Sequence, residues 1–282
     1  MNHLTSGLFL GIVGAIFLWV ATRLHFFRVK VLPRTPADLR YPIVGIIGYL
    51  FLFFIIAPSS VRMMGKHLQA LADHSPALLM PLLQVISLAW VIAYLFFLSL
   101  VQGKTTLHAM WIHPSRSRFS CILEDFGLGI LTWLIAFPIV GAVSQLMELI
   151  TFVITGLSPL DQIAVRYLKM AKESPVLLPI ALFAILVAAP IIEELVFRGF
   201  LYTYLRKKLS MVKATIFAAL IFSLFHFSPD QGVSNIALLS SLFCLALFLG
   251  FLYERQRSLF APIALHMTFN SISVIRILLI SN

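Results

Sequence analysis

The sequence predicts an all-α, polytopic membrane bundle, and three observations carry that expectation. Hydrophobic residues fill 60% of the 282 positions and charged residues only 11%, too little polar side chain to coat a soluble globule of this size. Apolar runs near 20 residues long, the length that crosses ~30 Å of hydrocarbon as helix, recur along the chain. Basic residues then collect in alternate loops between those runs, the pattern that orients membrane proteins.

Eight runs qualify as spans, at about 4–22, 41–57, 77–101, 126–149, 176–205, 212–227, 235–253 and 258–280. Within the first, Leu8 to Val20 is apolar, with no basic residue before it and no small-residue cleavage pattern after it, so it reads as a retained span. The second and sixth are short. The fourth contains Pro138, which can kink or end a helix, and Glu148 near its end; the course from 138 to 175 stays open. Loops one, three, five and seven hold Arg23, Arg28, Lys30, Arg34 and Arg40; Lys104, Arg116 and Arg118; Arg206, Lys207, Lys208 and Lys213; and Arg255 and Arg257. The even loops hold only Arg62, Lys66, Arg166, Lys169 and Lys172, so the odd loops are expected in the cytoplasm and both termini outside. Topology thereby accounts for the excess of 21 Lys and Arg over 11 Asp and Glu, and nucleic acid is not an expected partner; the loop Arg206 to Lys213 is expected to meet anionic lipid. Cys121 and Cys244 form no metal-ligand spacing and no disulfide framework. The simplest partition is one membrane domain, 1–282, with spans one to four in 1–175 and the polar-bearing spans five to eight in 176–280.

That second part is organised around Pro190-Ile191-Ile192-Glu193-Glu194-Leu195-Val196-Phe197-Arg198-Gly199, inside an apolar run from Leu177 to Leu205. Ionisable groups at such depth are costly and by default mark a functional site. Glu194 and Arg198 stand four apart and share a helical face, which favours an ion pair. Glu193 points about 100° away, with no such partner in its own helix, and is left free for proton transfer. Spans six and eight carry Phe222-Ser223-Leu224-Phe225-His226 and His266-Met267-Thr268-Phe269-Asn270, each an i, i+4 pair. Counting ~1.5 Å per residue from the cytoplasmic charges puts Glu193 and His226 about 20 Å deep and His266 about 14 Å deep, so with tilt one cavity can collect Glu193, Glu194, His226, His266 and Asn270. A carboxylate with a neighbouring histidine can activate water and return the proton to a leaving amine, while a second histidine and an amide can donate to an oxyanion. The set Glu193, His226 and His266 could instead hold zinc with an open position for water, and residue types alone do not separate the two.

At these residues the chain resembles the CAAX protease and bacteriocin-processing family, the type II CAAX prenyl endopeptidase relatives. The family's motifs Glu-Glu-x-x-x-Arg, Phe-x-x-x-His and His-x-x-x-Asn match as Glu193-Glu194-x-x-x-Arg198, Phe222-x-x-x-His226 and His266-x-x-x-Asn270, in order and on separate helices, across about residues 176–280. The resemblance implies an intramembrane peptidase whose cavity opens toward the cytoplasm. In it Glu193 is the general base, His226 helps bind the water, His266 and Asn270 stabilise the oxyanion, Glu194 supports the site, and Arg198 holds the motif helix. Phe222 is read as packing. The metal-free version is favoured, with no cofactor, over a zinc version.

The expected activity is therefore hydrolysis of a peptide bond in a membrane-associated peptide or protein, prenylated or not. Two rivals from other classes stand beside it. A proton-coupled transporter would use Glu193, His226 and His266 as a relay but should show inverted repeats, and no matching halves occur. A non-catalytic membrane partner, such as a bacteriocin self-immunity protein, could keep the motifs intact. Low charge and the lack of a transit pattern fit a bacterial inner membrane better than a eukaryotic endomembrane.

Overall fold

The computed structural model describes residues 3–29, 42–56, 59–60, 63, 65, 76–112, 119–157 and 160–280. Within these residues the protein is helical, with no strand. The helices are α1 (His3–Arg23), α2 (Pro42–Phe51, continued by a wide turn Leu52–Ile56), α3 (Pro76–Gln102), α4 (Lys104–Trp111), α5 (Phe119–Thr155), α6 (Ile163–Lys172), α7 (Leu177–Lys208), α8 (Met211–Phe225), α9 (Asn235–Gln256) and α10 (Phe260–Ile280). Five helical stretches in α1, α5, α7, α9 and α10 are long and apolar enough to cross a membrane, and shorter apolar helices cover Val44–Ile56, Gln84–Leu98 and Met211–Phe225. Among the basic loop residues, Lys30, Arg34, Arg40, Arg62, Lys66, Arg116 and Arg118 lie outside the described residues.

The open region around Pro138 resolves simply. Helix α5 runs through the proline and past Glu148 to Thr155, 37 residues without a break. Pro138 is buried within the bundle, a setting in which membrane helices tolerate proline. The chain then forms α6, a short helix with Leu168 and Ala171 buried and Arg166 and Lys169 exposed. A scan for 20-residue apolar runs passes over so short an amphipathic segment, and passes over α4 for the same reason.

Without a hydrophobic force between helices in lipid, close packing of small residues has to hold the bundle together. Gly129 of α5 shows how tight that packing is: a Cβ built on it would stand 2.3 Å from the Ala261 carbonyl oxygen and 2.7 Å from Ala264 Cβ, so α5 and α10 meet backbone to backbone. Two apolar clusters flank this crossing. One joins α5, α9 and α10 through Ala136, Leu249 and Leu265; the other joins α3, α7, α8 and α10 through Leu95, Phe197, Phe222 and Ile263. Both include residues of α9 and α10, which fixes those two helices as the frame on which α7 and α8 are hung.

At one end of that frame, Glu254 of α9 is buried and accepts from Tyr202 (2.8 Å), from Arg206 Nε and Nη2 (3.2 and 2.9 Å), and from Arg257 Nη2 (2.9 Å). A buried carboxylate with this many donors ties the basic end of α7 to the end of α9. Replacing Glu254 by glutamine removes the charge that two arginines share and is expected to cost about 3 kcal/mol, seen as a lowered unfolding temperature in detergent. Unchanged unfolding would show that the cluster adds nothing to stability.

Candidate active site

Helix α7 is not a uniform α-helix. Wide π-type turns at Ala184–Ala188 and Leu195–Tyr202 bracket the α-helical turn that carries Glu193 and Glu194. Such turns are rare, concentrate at functional sites, and loosen the backbone ladder so that side chains can reach its carbonyls. Both are used that way here. Asn270 Nδ2 of α10 donates to the Ile185 carbonyl at 2.9 Å, and Thr203 Oγ1 donates to the Arg198 carbonyl at 3.1 Å.

The ion pair read from the i, i+4 spacing is formed. Arg198 Nη1 donates to Glu194 Oε1 at 2.9 Å, and both side chains are buried completely or nearly so. Nη2 of the same guanidinium donates to the Ala246 carbonyl of α9 at 3.2 Å, and its Cζ lies 4.7 Å over the Phe222 ring of α8. Arg198 therefore binds three helices at one point. Phe222 is packing with a direction, a buried ring that gives the guanidinium a face to rest on.

His266 of α10 brings Nδ1 to 3.0 Å from Glu194 Oε1, and His226, at the end of α8, brings Nδ1 to 2.9 Å from the Phe222 carbonyl. A carboxylate and a carbonyl only accept, so each histidine carries its hydrogen on Nδ1, an assignment made from the partners. The Nε2 atoms then converge on one oxygen: Glu193 Oε2 lies 3.7 Å from His226 Nε2 and 3.9 Å from His266 Nε2. Both distances exceed direct hydrogen-bond length, and contacts of this kind suit a bridging water. Glu193 Oε2 is buried and has no hydrogen-bond partner among the described residues. Glu193 and His226 keep 14% and 28% of their side-chain surface open, whereas Glu194 keeps none, so access to the site runs over the first pair.

The structure thus brings Glu193, Glu194, His226 and His266 into one cluster, with Arg198 and Phe222 behind it and Asn270 one turn along α10. The short span α2 adds a residue that its sequence does not advertise. Tyr49 lies within electrostatic reach of Glu193, and its ring sits 5.3 Å from that of Phe225, next to His226. A lone tyrosine in an apolar run carries no signal of its own.

Zinc takes nitrogen and carboxylate ligands at about 2.0–2.2 Å, which puts tetrahedral ligands roughly 3.4 Å apart. The Glu193, His226 and His266 donors stand wider than that, and no group of three His, Cys, Asp or Glu among the described residues is arranged to hold a metal ion.

Residues 175–272 match the family model described as type II CAAX prenyl endopeptidase Rce1-like. The matched segment begins just before α7 and ends within α10, so it takes in all three motifs and every histidine and carboxylate of the cluster. Neither the curated proteins nor the solved structures gave a match.

Proposed function

From the match of residues 175–272 to the type II CAAX prenyl endopeptidase Rce1-like family model, we propose that this integral membrane protein hydrolyses a peptide bond near the bilayer through a water held by Glu193 and His226. The observation that supports this best is the convergence of two Nε2 atoms, from separate helices, on one unpartnered oxygen of Glu193.

The hydrogen inventory gives the roles. A water in the gap gives one hydrogen to Glu193 Oε2 and the other to the bare Nε2 of His226, which leaves an oxygen lone pair for the carbonyl carbon of the substrate. As the new C–O bond forms, Glu193 takes the proton and the carbonyl oxygen becomes an oxyanion. Asn270 uses one amide hydrogen on Ile185, and the second remains for that oxyanion. His266 has Nδ1–H committed to Glu194, so it can donate from Nε2 only as an imidazolium. Collapse of the intermediate breaks the C–N bond, and the proton held by Glu193 passes to the leaving amine. Two charged groups, Arg198 and Glu194, hold the rings and the motif helix without touching substrate.

We take the substrate to be a membrane-associated peptide or protein, a prenylated C-terminus among the candidates. The arrangement proposed is eight spans with both termini outside and the site approached from the cytoplasmic face of a bacterial inner membrane.

Full-length protein reconstituted in vesicles, mixed with membrane-anchored peptides with and without a prenyl group, tests the reading by mass spectrometry of the products. Cleavage is expected to survive strong chelation at about its starting rate, with well under one zinc per chain in the purified protein. Loss of cleavage on chelation, restored by zinc, would replace the glutamate mechanism by a metal one.

A further inference from the structure

Helix α8 is short. Its 15 residues rise about 22 Å, less than the ~30 Å of hydrocarbon, so the chain has to turn at or inside the far edge of the bilayer. His226 is the residue at that turn, already outside the helical region at φ −91° and ψ 4°. Two difficulties meet there. The last turn of any helix leaves carbonyls without partners and frays, and irregular backbone at membrane depth is tolerated only when its polar groups are satisfied. A ring that must hold a water against Glu193 stands on the least secure turn of its helix.

The end of α8 is closed by its own residues, with the Phe222, Ser223 and Leu224 carbonyls bonded by His226 and Phe227, and one side chain answers the second difficulty. Asn235, the buried first residue of α9, accepts from the Ser228 backbone N–H at 3.1 Å and donates Nδ2 to the Ser228 carbonyl at 2.7 Å and to the Gly232 carbonyl at 2.9 Å. Gly232 takes φ 46° and ψ −127°, open to glycine and strained for other residues, and this is the backbone shape whose carbonyl reaches the amide. The turn is held from behind as well, with Ser234 Oγ accepting from the Leu160 N–H at 2.8 Å. Asn235 stands on α9, the frame helix that also receives Arg198 at Ala246, so the clamp references the His226 turn to the same helix that fixes the Glu194–Arg198 pair.

We propose that Asn235 is a positioning residue for the reaction: its amide closes the turn 226–235 and thereby sets the height and direction of the His226 ring against Glu193. The proposal rests on the function given above for His226, and nothing in the three motifs includes Asn235.

The test compares wild type with Asn235→Asp and Asn235→Ala, each full length and in membranes. Aspartate keeps the acceptor and sets a carboxylate against two carbonyls; alanine removes every bond without adding charge. The first readout is the rate at which diethyl pyrocarbonate labels His226 relative to His266, followed by mass spectrometry, and it needs no activity. Both variants are expected to raise the His226:His266 ratio about fivefold or more, the opening that loss of buried hydrogen bonds allows. The second is peptide cleavage, where kcat is expected to fall at least about tenfold while KM stays within about twofold. An unmoved labelling ratio, or equal acceleration at both histidines, would overturn the proposal, because the amide would then be supporting the bundle as a whole. If wild type cleaves none of the membrane-anchored peptides, the peptidase reading fails on its own, and the labelling ratio still decides whether Asn235 sets His226.

Discussion

Glu193→Ala, in cells that hold it at wild-type abundance, is expected to erase a defined set of protein termini from native membranes. Loss of a positioned general base lowers turnover by about 10²–10⁴, enough to take a cleavage product below detection. Glu193 carries the prediction because its partners are poised around an oxygen that none of them bonds directly, so its removal takes away a proton acceptor without stranding a charge. Folded abundance should therefore hold. Glu193→Gln, which keeps the shape and loses the basicity, should behave as alanine does. If termini are the same in both cells while loss of the chain has a phenotype, a non-catalytic partner becomes the better reading and the motifs are structural.

Arg198→Ala should do the opposite, failing at the level of folding. Its guanidinium holds Glu194, the Ala246 carbonyl and the Phe222 face in one buried knot, and its loss leaves Glu194 with only His266 beside it in a low-dielectric interior. Breaking a buried pair by removing one partner costs about 3–5 kcal/mol, a large share of the stability of most domains. Folded yield from membranes, measured by size-exclusion in detergent, is expected to drop severalfold below that of Glu193→Ala. Arg198→Lys should rescue little, because an ammonium can reach one of these partners but cannot match the planar fork or lie over the ring in the same way. Equal yields for Arg198→Ala and Glu193→Ala would contradict the division between one acid for chemistry and one for structure.

The parts of this site that could be read from the sequence are those set by helical repeat. Glu194 and Arg198, Phe222 and His226, and His266 and Asn270 each sit four apart, and that spacing alone puts both members of a pair on one face. The pairing of Arg198 with Phe222 across helices has no such rule behind it. Nor does Asn235, whose partners lie in irregular backbone that periodicity cannot describe. Glu254 was hidden for another reason. It stands at the end of a span beside Arg255 and Arg257, where basic residues already had an explanation in topology, and its partners Tyr202 and Arg206 are about fifty positions away. The wide turns of α7 leave no local trace either, since Ala184-Ile185-Leu186-Val187-Ala188 reads as ordinary apolar helix. Helix α5 shows the reverse case, a proline that reads as a breaker and in the folded bundle breaks nothing.

Helix α1 lies along α5, with Gly7, Gly11 and Gly14 set against Gln145, Ala142 and Ile139. A synthesising ribosome adds about 5–20 residues per second, so α1 enters the bilayer on the order of ten seconds before the far end of its partner has been made. Until then its glycine stripe has no α5 to pack against. A lone apolar helix satisfies its own backbone, so α1 can wait in the bilayer without α5, while its glycine stripe keeps the capacity for close helix packing.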